Sequence, residues 1–341
     1  MHGARSLPLR FPPAAAGGDA TRLQLHGPTM GTRWAVTCDA PAGTDRQVLH
    51  AALQAAVAQV DAQMSPWKPD SDLVRLNHAP LGAWVDLPAE MLQVLARALE
   101  VCRLSGGAFD PAVGALVDAW GFGSVRDAPD AQAIRAARAA PRRPTHHALE
   151  LELELDRDAG RARRSAPLQL DLCGIAKGYA VDRMCTVLQQ HGVQHALAAL
   201  DGELRALGPQ GDGTPWAVAL ESPQAGRRAA QGVIELQDLA VATSGDYRRF
   251  VQVGDARLAH SMDSRRGGPV HNGVASVTVL APTCMDADAW ATALLVAGPG
   301  EGLALAQRLG LEALWLLRRG GALVELGLGR FGAAATPPGG T

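Results

Sequence analysis

At 341 residues, 47% apolar and 19% charged, the chain has the length and composition to fold around a substantial core. Its formal charge of −2 excludes the basic stripe that a nucleic-acid surface requires, so no nucleic acid is expected as a partner. No run of about 18 apolar residues occurs, so no transmembrane segment is expected either.

Residues 1–20 are rich in Pro, Ala and Gly and predict a disordered start, with the folded domain spanning 21–330 and a flexible tail over 331–341. The N-terminus has no clear signal-peptide core, and no cysteine precedes Cys38 to carry a lipid, so it points to the cytoplasm. Arg33 to Cys38 alternates as a strand, preceded by a turn over Gly27 to Thr32. A helical pattern begins at Thr44, which with Gln47 makes a capping box, and Val48, Leu49, Leu53, Val57 and Val60 mark its apolar face as far as Met64. A structured loop and a short helix capped at Asp70 or Ser71 follow. A second amphipathic helix runs from Pro88 to a Gly106-Gly107 stop.

Residues 124–147 read as a surface helix plus a connection, Ala148 to Asp156 as a strand, and Arg157 to Arg164 as a charged hairpin turn. Strands are predicted over Gln194 to Leu200, Trp216 to Glu221, Gly232 to Leu236 and Val274 to Leu280. A helix carrying Asp288 follows the last of these; another helix over about 299–309 and two strands over about 312–325 close the chain. Helices and strands alternate without a strict βαβ repeat, so the pattern points to an α+β fold of mixed β-sheets with packed helices. Five cysteines, scattered and never in a Cys-x-x-Cys pair, read as buried thiols of a reduced compartment.

The stretch Leu170 to Asp182 reads as a strand end, a tight turn at Gly174 and a helix start. Such a helix N-terminus favours an anion, and Lys177 adds a positive charge one turn in, so a phosphate site is one reading and ordinary α/β architecture the other. Downstream, Cys284 to Thr292 places Asp288 and Thr292 four residues apart, where on a helix they present two hard oxygens to one cation. The plainer reading is an Asp favoured by the helix dipole and a Thr bonded back to a carbonyl.

Met30-Gly31-Thr32, Met64-Ser65 with Ser71-Asp72-Leu73 and Asn77, Gly107 to Pro111, Asp171 to Asp182, Thr243 to Tyr247, His260-x-x-Asp263, and Ala287-Asp288 with Thr292 follow one another in an order and spacing that resembles the ApbE family of FAD:protein FMN transferases. The resemblance covers about residues 27–325 and implies an ApbE-like fold, a single large domain of two intimate subdomains. It also implies a magnesium-dependent enzyme that takes FAD as substrate, cleaves its pyrophosphate and esterifies FMN to a threonine in a Ser/Thr-rich motif of an acceptor flavoprotein, releasing AMP.

By the same resemblance, Asp288, Thr292 and a backbone carbonyl near Gly174 match magnesium ligands, a sparse set suited to an ion that keeps its waters. Asp171 and Lys177 match positions that contact FAD, as do Met30, Trp67, the turn Ala108-Phe109-Asp110 and Met262, which would line the flavin or adenine. His260 is the candidate base for the acceptor hydroxyl, with Asp246 and Asp263 orienting it or the flavin.

Plainer readings stand beside these. His260 can be a turn histidine, Trp67 a loop anchor, Met30 and Met262 packing residues, and His191 and His195 structural. Arg142, Arg143, His146 and His147 form a solvated basic cluster.

The chain departs from the family pattern at Cys173 and Asp201, where glycine is usual, at Ala291, where a carboxylate is common, and over Asp263-Ser264-Arg265-Arg266-Gly267-Gly268-Pro269, which stands in place of Asp-Pro-x-Thr-Gly-x-Pro. The last change threatens the loop that carries His260. It keeps a non-catalytic FAD carrier open as a function, and an FAD pyrophosphatase, in which water replaces the acceptor threonine and FMN and AMP are released, is the alternative of the same chemistry. Members of the family are often exported lipoproteins, in contrast to what this N-terminus suggests.

Overall fold

Among the described residues, eight strands form one sheet in the order Thr21–Thr29, Thr32–Ala40, His195–Leu200, Glu203–Leu207, Ala240–Gly245, Val274–Ala281, Glu312–Arg319 and Ala322–Leu328, each antiparallel to the next. The computed structural model describes residues 20–139, 148–223, 230–246, 250–253, 256–320 and 322–332. The expected disordered start, apart from Ala20, lies outside them, as do the tail beyond Gly332, Tyr247 and the basic cluster of Arg142, Arg143, His146 and His147.

Successive side chains in a strand point to opposite faces, and here both faces are covered. On one face Ala196, Ala198, Ala240, Ala242, Val277, Val279 and Trp315 pack in a single core with the apolar sides of the helices. On the other, Ala206, Val241, Leu314 and Leu316 meet Trp216, Val218, Leu220 and Leu236 from a two-stranded ribbon, Trp216–Glu221 with Ala230–Leu236. The strand Val274–Ala281 lies inside the sheet and is buried at every position, which fits its small and β-branched residues, interrupted only by Leu280.

The helices are α1 (Arg46–Met64), α2 (Asp72–His78), α3 (Ala89–Leu104), α4 (Gly114–Ala119), α5 (Ala131–Ala139), α6 (Ala148–Glu152), α7 (Ala176–Gln190) and α8 (Cys284–Leu309). α1 is capped by Asp45, whose carboxylate accepts from the N–H groups of Gln47 and Val48, while the Thr44 hydroxyl donates to the Pro41 carbonyl; the capping box at Thr44 therefore does not form. Ser71 caps α2 as expected.

The strand expected over Ala148 to Asp156 divides into α6 and a strand of only Leu153–Asp156. Leu149 and Leu153 are four apart and each 1% exposed. One helical turn brings both to the same side, whereas continuous alternation does not decide between helix and strand.

α8 satisfies the length and composition test for a membrane span, but 61% of its apolar window is buried inside the fold, so its apolarity serves the core. It is broken at Gly298 (φ 77°) before Pro299, separating the Asp288 segment from the terminal helix expected from the sequence. Pro299 has no N–H to offer the Leu295 carbonyl. Asn272 donates its side-chain amide to that carbonyl at 2.8 Å instead.

Candidate functional site

The turn that opens α7 is fixed by bonds from distant segments. Asn77 on α2 donates to the Leu170 carbonyl (2.9 Å) and accepts its N–H (2.8 Å). Asp171 donates its N–H to Pro111 (2.8 Å) and accepts the N–H of Cys173 on its carboxylate (2.7 Å). Burial pushes the Asp171 carboxyl up, against the pull of the Cys173 bond.

Inside the first turn of α7, Gly178 donates its N–H to the Asp288 carboxylate at 3.0 Å. This N–H is one of the orphan donors of a helix start. The amide offered by the sequence as part of an anion site is thus occupied by a carboxylate of α8. Only glycine permits the approach, because a Cβ at 178 would lie 2.2 Å from the Cys284 carbonyl and 2.8 Å from the Asp288 Cβ.

The same two helices are joined at the next level by Asp182. Its carboxylate accepts the N–H groups of Cys284 and Met285, both at 2.9 Å, and the Arg205 guanidinium at 2.5 Å. α8 therefore starts where α7 holds it, with Thr283 as its own N-cap.

Asp288 is 3% exposed, and its carboxyl is pushed up to about 7. Burial is the main cause and the Glu203 carboxylate the second; Lys177 and the Gly178 amide pull the other way. Lys177 bonds Glu203 at 2.6 Å and lies 3.8 Å from Asp201. Although burial favours its neutral form, Glu203 and Asp288 raise its pKa. Three carboxylates thus surround one ammonium, a local excess of negative charge that a divalent cation would neutralise.

Thr292 completes that corner. Its hydroxyl bonds Ser244 at 3.1 Å and would stand 3.1 Å from a Cβ placed on Gly174, so the bare glycine lets turn and helix meet. Asp288, Thr292 and the Gly174 backbone together offer a carboxylate, a hydroxyl and a carbonyl, hard oxygens of the kind magnesium prefers.

These groups line one cavity of about 580 Å³, within the range of cofactor sites. Met30 and Trp67 line it from the first hairpin and the loop after α1, and Ala108, Phe109 and Asp110 from the turn after α3. His260 and Met262 line it from the segment following the strand Ala256–Ala259. Met30 holds a left-handed φ of 48°, a conformation costly for a side chain with a Cβ and found where a site over-determines it. Trp67 is 51% exposed at the mouth, and the Phe122 ring meets His260 edge-on, with centroids 6.3 Å apart.

Asp246 and Asp263 are the exceptions among the expected site residues, for neither lines the cavity. The Asp246 carboxylate pairs with Arg318 at 2.8 Å and the Asp263 carboxylate with Arg265 at 3.1 Å. The family resemblance placed Asp246 in the site through the run Thr243 to Tyr247, but at the end of the strand Ala240–Gly245 the chain has already turned toward Arg318 on the strand Glu312–Arg319. His195, expected to be structural, bonds the Pro209 carbonyl at 2.8 Å.

Sequence reasoning missed Glu203 and Ser244 as site residues. Glu203 read only as part of a turn. The signal that could have found it is an acidic residue, 3% exposed, at a strand start where solvent usually claims the charge.

Residues 30–315 match the sequence profile of the ApbE family. The chain is 33% identical over 307 residues to a FAD:protein FMN transferase of Klebsiella pneumoniae, covering 88% of this chain and 86% of that protein. It also superimposes on the apo crystal structure of the flavinyl transferase ApbE of Pseudomonas stutzeri with a TM-score of 0.80 and 35% identity, covering 93% of this chain and 98% of the other. For the flavin transferase ApbE of Vibrio cholerae the TM-score is 0.79 and the identity 33%, covering 90% and 97%. On both sequence and fold, this chain belongs to the ApbE family.

Proposed function

We propose that this protein transfers the FMN half of FAD to a threonine hydroxyl of an acceptor flavoprotein, with Mg²⁺ held by Asp288, Thr292 and the Gly174 carbonyl. The observation that carries the proposal is that Asp288 and Thr292, one turn apart on α8, open into the same cavity as Gly174 and Lys177, beside the apolar walls of Met30, Phe109 and Met262. The names borne by its relatives, FAD:protein FMN transferase and flavin transferase, support the same chemistry.

Cleaving a diphosphate calls for charge neutralisation and in-line positioning more than for a covalent catalyst. When bound, Mg²⁺ supplies positive charge at the diphosphate. Lys177, oriented by Glu203, adds its ammonium there. The thioether and aromatic groups hold the ring system. His260 accepts the proton of the acceptor hydroxyl as that oxygen bonds the FMN phosphorus. The bond from this phosphorus to the bridging oxygen breaks, and AMP leaves with that oxygen.

The test is incubation with FAD, MgCl₂ and an acceptor domain carrying a Ser/Thr-rich motif, read as flavin fluorescence on the denatured acceptor. Covalent flavin is expected, absent with EDTA and reduced on the order of 10²-fold or more in Asp288→Asn. Free FMN with an unlabelled acceptor would mark a pyrophosphatase, and unchanged FAD a carrier; either overturns the proposal.

A further inference from the structure

The segment bearing His260 and Met262 has little sheet of its own to hold it. It continues into a two-residue pairing, Met262 opposite Pro269 and Asp263 opposite Gly268, closed by the N–H of Val270 on the Ser261 carbonyl at 2.9 Å. A hairpin of this size, with Ser264 and Gly267 in its tip, has little intrinsic stiffness.

What fixes it is a pair of arginines. Asp263 is 3% exposed, and its carboxylate accepts the N–H of Arg265 (2.9 Å) and its Nε (3.1 Å). The same guanidinium reaches Glu301 on α8 at 2.6 Å, so Arg265 ties the buried carboxylate of the hairpin to the helix that carries Asp288 and Thr292. From the other side, Arg138 at the end of α5 lies over the Trp120 ring and donates Nε to the Gly267 carbonyl at 2.8 Å.

We propose that Arg265 and Arg138 are positioning residues: they clamp the hairpin 262–269 between α8 and α5 and thereby hold His260 and Met262 in the cavity wall. Neither arginine lines the cavity. This rests on the flavin-transfer reading for its catalytic consequence but not for its structural one. Arg265 acts as a two-ended bridge, since only a forked, planar donor reaches both carboxylates at once. Arg138 meets a carbonyl and an aromatic face, which a lysine matches poorly. Glu301 is the outer anchor of the bridge, 52% exposed and outside the cavity lining.

The test compares Arg265→Met, Arg265→Lys, Glu301→Gln and Arg138→Met with the wild-type chain by hydrogen exchange at the amides of Gly267 and Val270, and by kcat and KM for FAD in acceptor labelling. Exchange at both amides is expected to quicken by about tenfold in Arg265→Met, with exchange in α7 unchanged. kcat is expected to fall on the order of tenfold, since small misplacements of reacting groups carry costs of this size. Arg265→Lys and Glu301→Gln should fall between, and the double variant Arg265→Met/Glu301→Gln should be no worse than Arg265→Met alone.

Unchanged exchange in Arg265→Met and Arg138→Met overturns the clamp. Faster exchange with wild-type kcat and KM shows a clamp that positions nothing and overturns the catalytic half. If the wild-type chain labels no acceptor, the flavin-transfer reading fails, and the exchange data alone judge the clamp.

Discussion

The Asp288 carboxylate accepts the N–H of Gly178 at 3.0 Å, a bond between residues 110 positions apart in the chain. It makes one side chain both the cap of α7 and the candidate anchor of a cation. It also makes the site's geometry depend on a glycine with no chemistry of its own.

Gly178→Ala therefore tests the helix contact. The added methyl meets a backbone carbonyl at 2.2 Å, which cannot yield as a flexible side chain does. A destabilisation of about 3 kcal/mol, the upper end for overpacking, is expected in urea denaturation. Gly174→Ala meets its neighbours at 3.1 Å or more, and its stability should stay within about 1 kcal/mol of wild type. In that variant the loss should appear in the Mg²⁺ concentration needed for activity.

The raised carboxyl of Asp288 gives the metal-free protein a signed pH dependence. A group whose pKa goes from 3.8 to about 7 on folding binds more protons in the native state, so it lowers stability as pH rises through that interval. Thermal unfolding in EDTA should show Asp288→Asn losing less stability than wild type between those pH values. Equal losses would assign the dependence elsewhere. Added Mg²⁺ should stabilise the wild-type chain more at the upper end of the interval than at the lower, because the ion competes with the proton.

Removing the clasp at the start of α8 should be costly for a residue outside the chemistry. Asp182→Ala frees two helix N-terminal amides and leaves the Arg205 guanidinium without its carboxylate. A loss of about 2 kcal/mol or more is expected from denaturant titration. Asp182→Asn, which keeps an acceptor oxygen for one amide, should lose less.

Asn272→Ala tests the break in α8. With Pro299 unable to donate, the Leu295 carbonyl loses its main partner when the side-chain amide goes. Leaving a buried acceptor unmet costs about 1–3 kcal/mol. If stability is unchanged, water has replaced the amide, and Gly298→Ala becomes the stronger probe of that bend, since 298 holds a left-handed φ of 77°.

How far the sequence could be read follows from the range of the interactions involved. The strand Val274–Ala281, the cap at Ser71 and the pair Asp288 and Thr292 are set by local pattern or short spacing, and all were legible. Asp201, which stands where glycine is usual, holds a left-handed φ of 56°, a conformation that Asp tolerates. α6 was not legible, since its Leu-Glu alternation serves either geometry until Leu149 and Leu153 find one core. Nor were Glu203 on Lys177 or Asp246 on Arg318, since both depend on which strands become neighbours. The departure over 263–269 is local in the sequence, whereas the contacts of that loop with Arg138 and Glu301 come from segments remote in the chain.

The cavity draws its walls from the first hairpin at Met30, from the α7 turn and from α8 near the chain's other end. No contiguous stretch supplies more than a part of it. A fragment released by a protease, or a nascent chain still lacking α8, lacks part of those walls, and loop closures of this span rank among the slow steps of folding. The cavity is therefore closed only once α8 is in place.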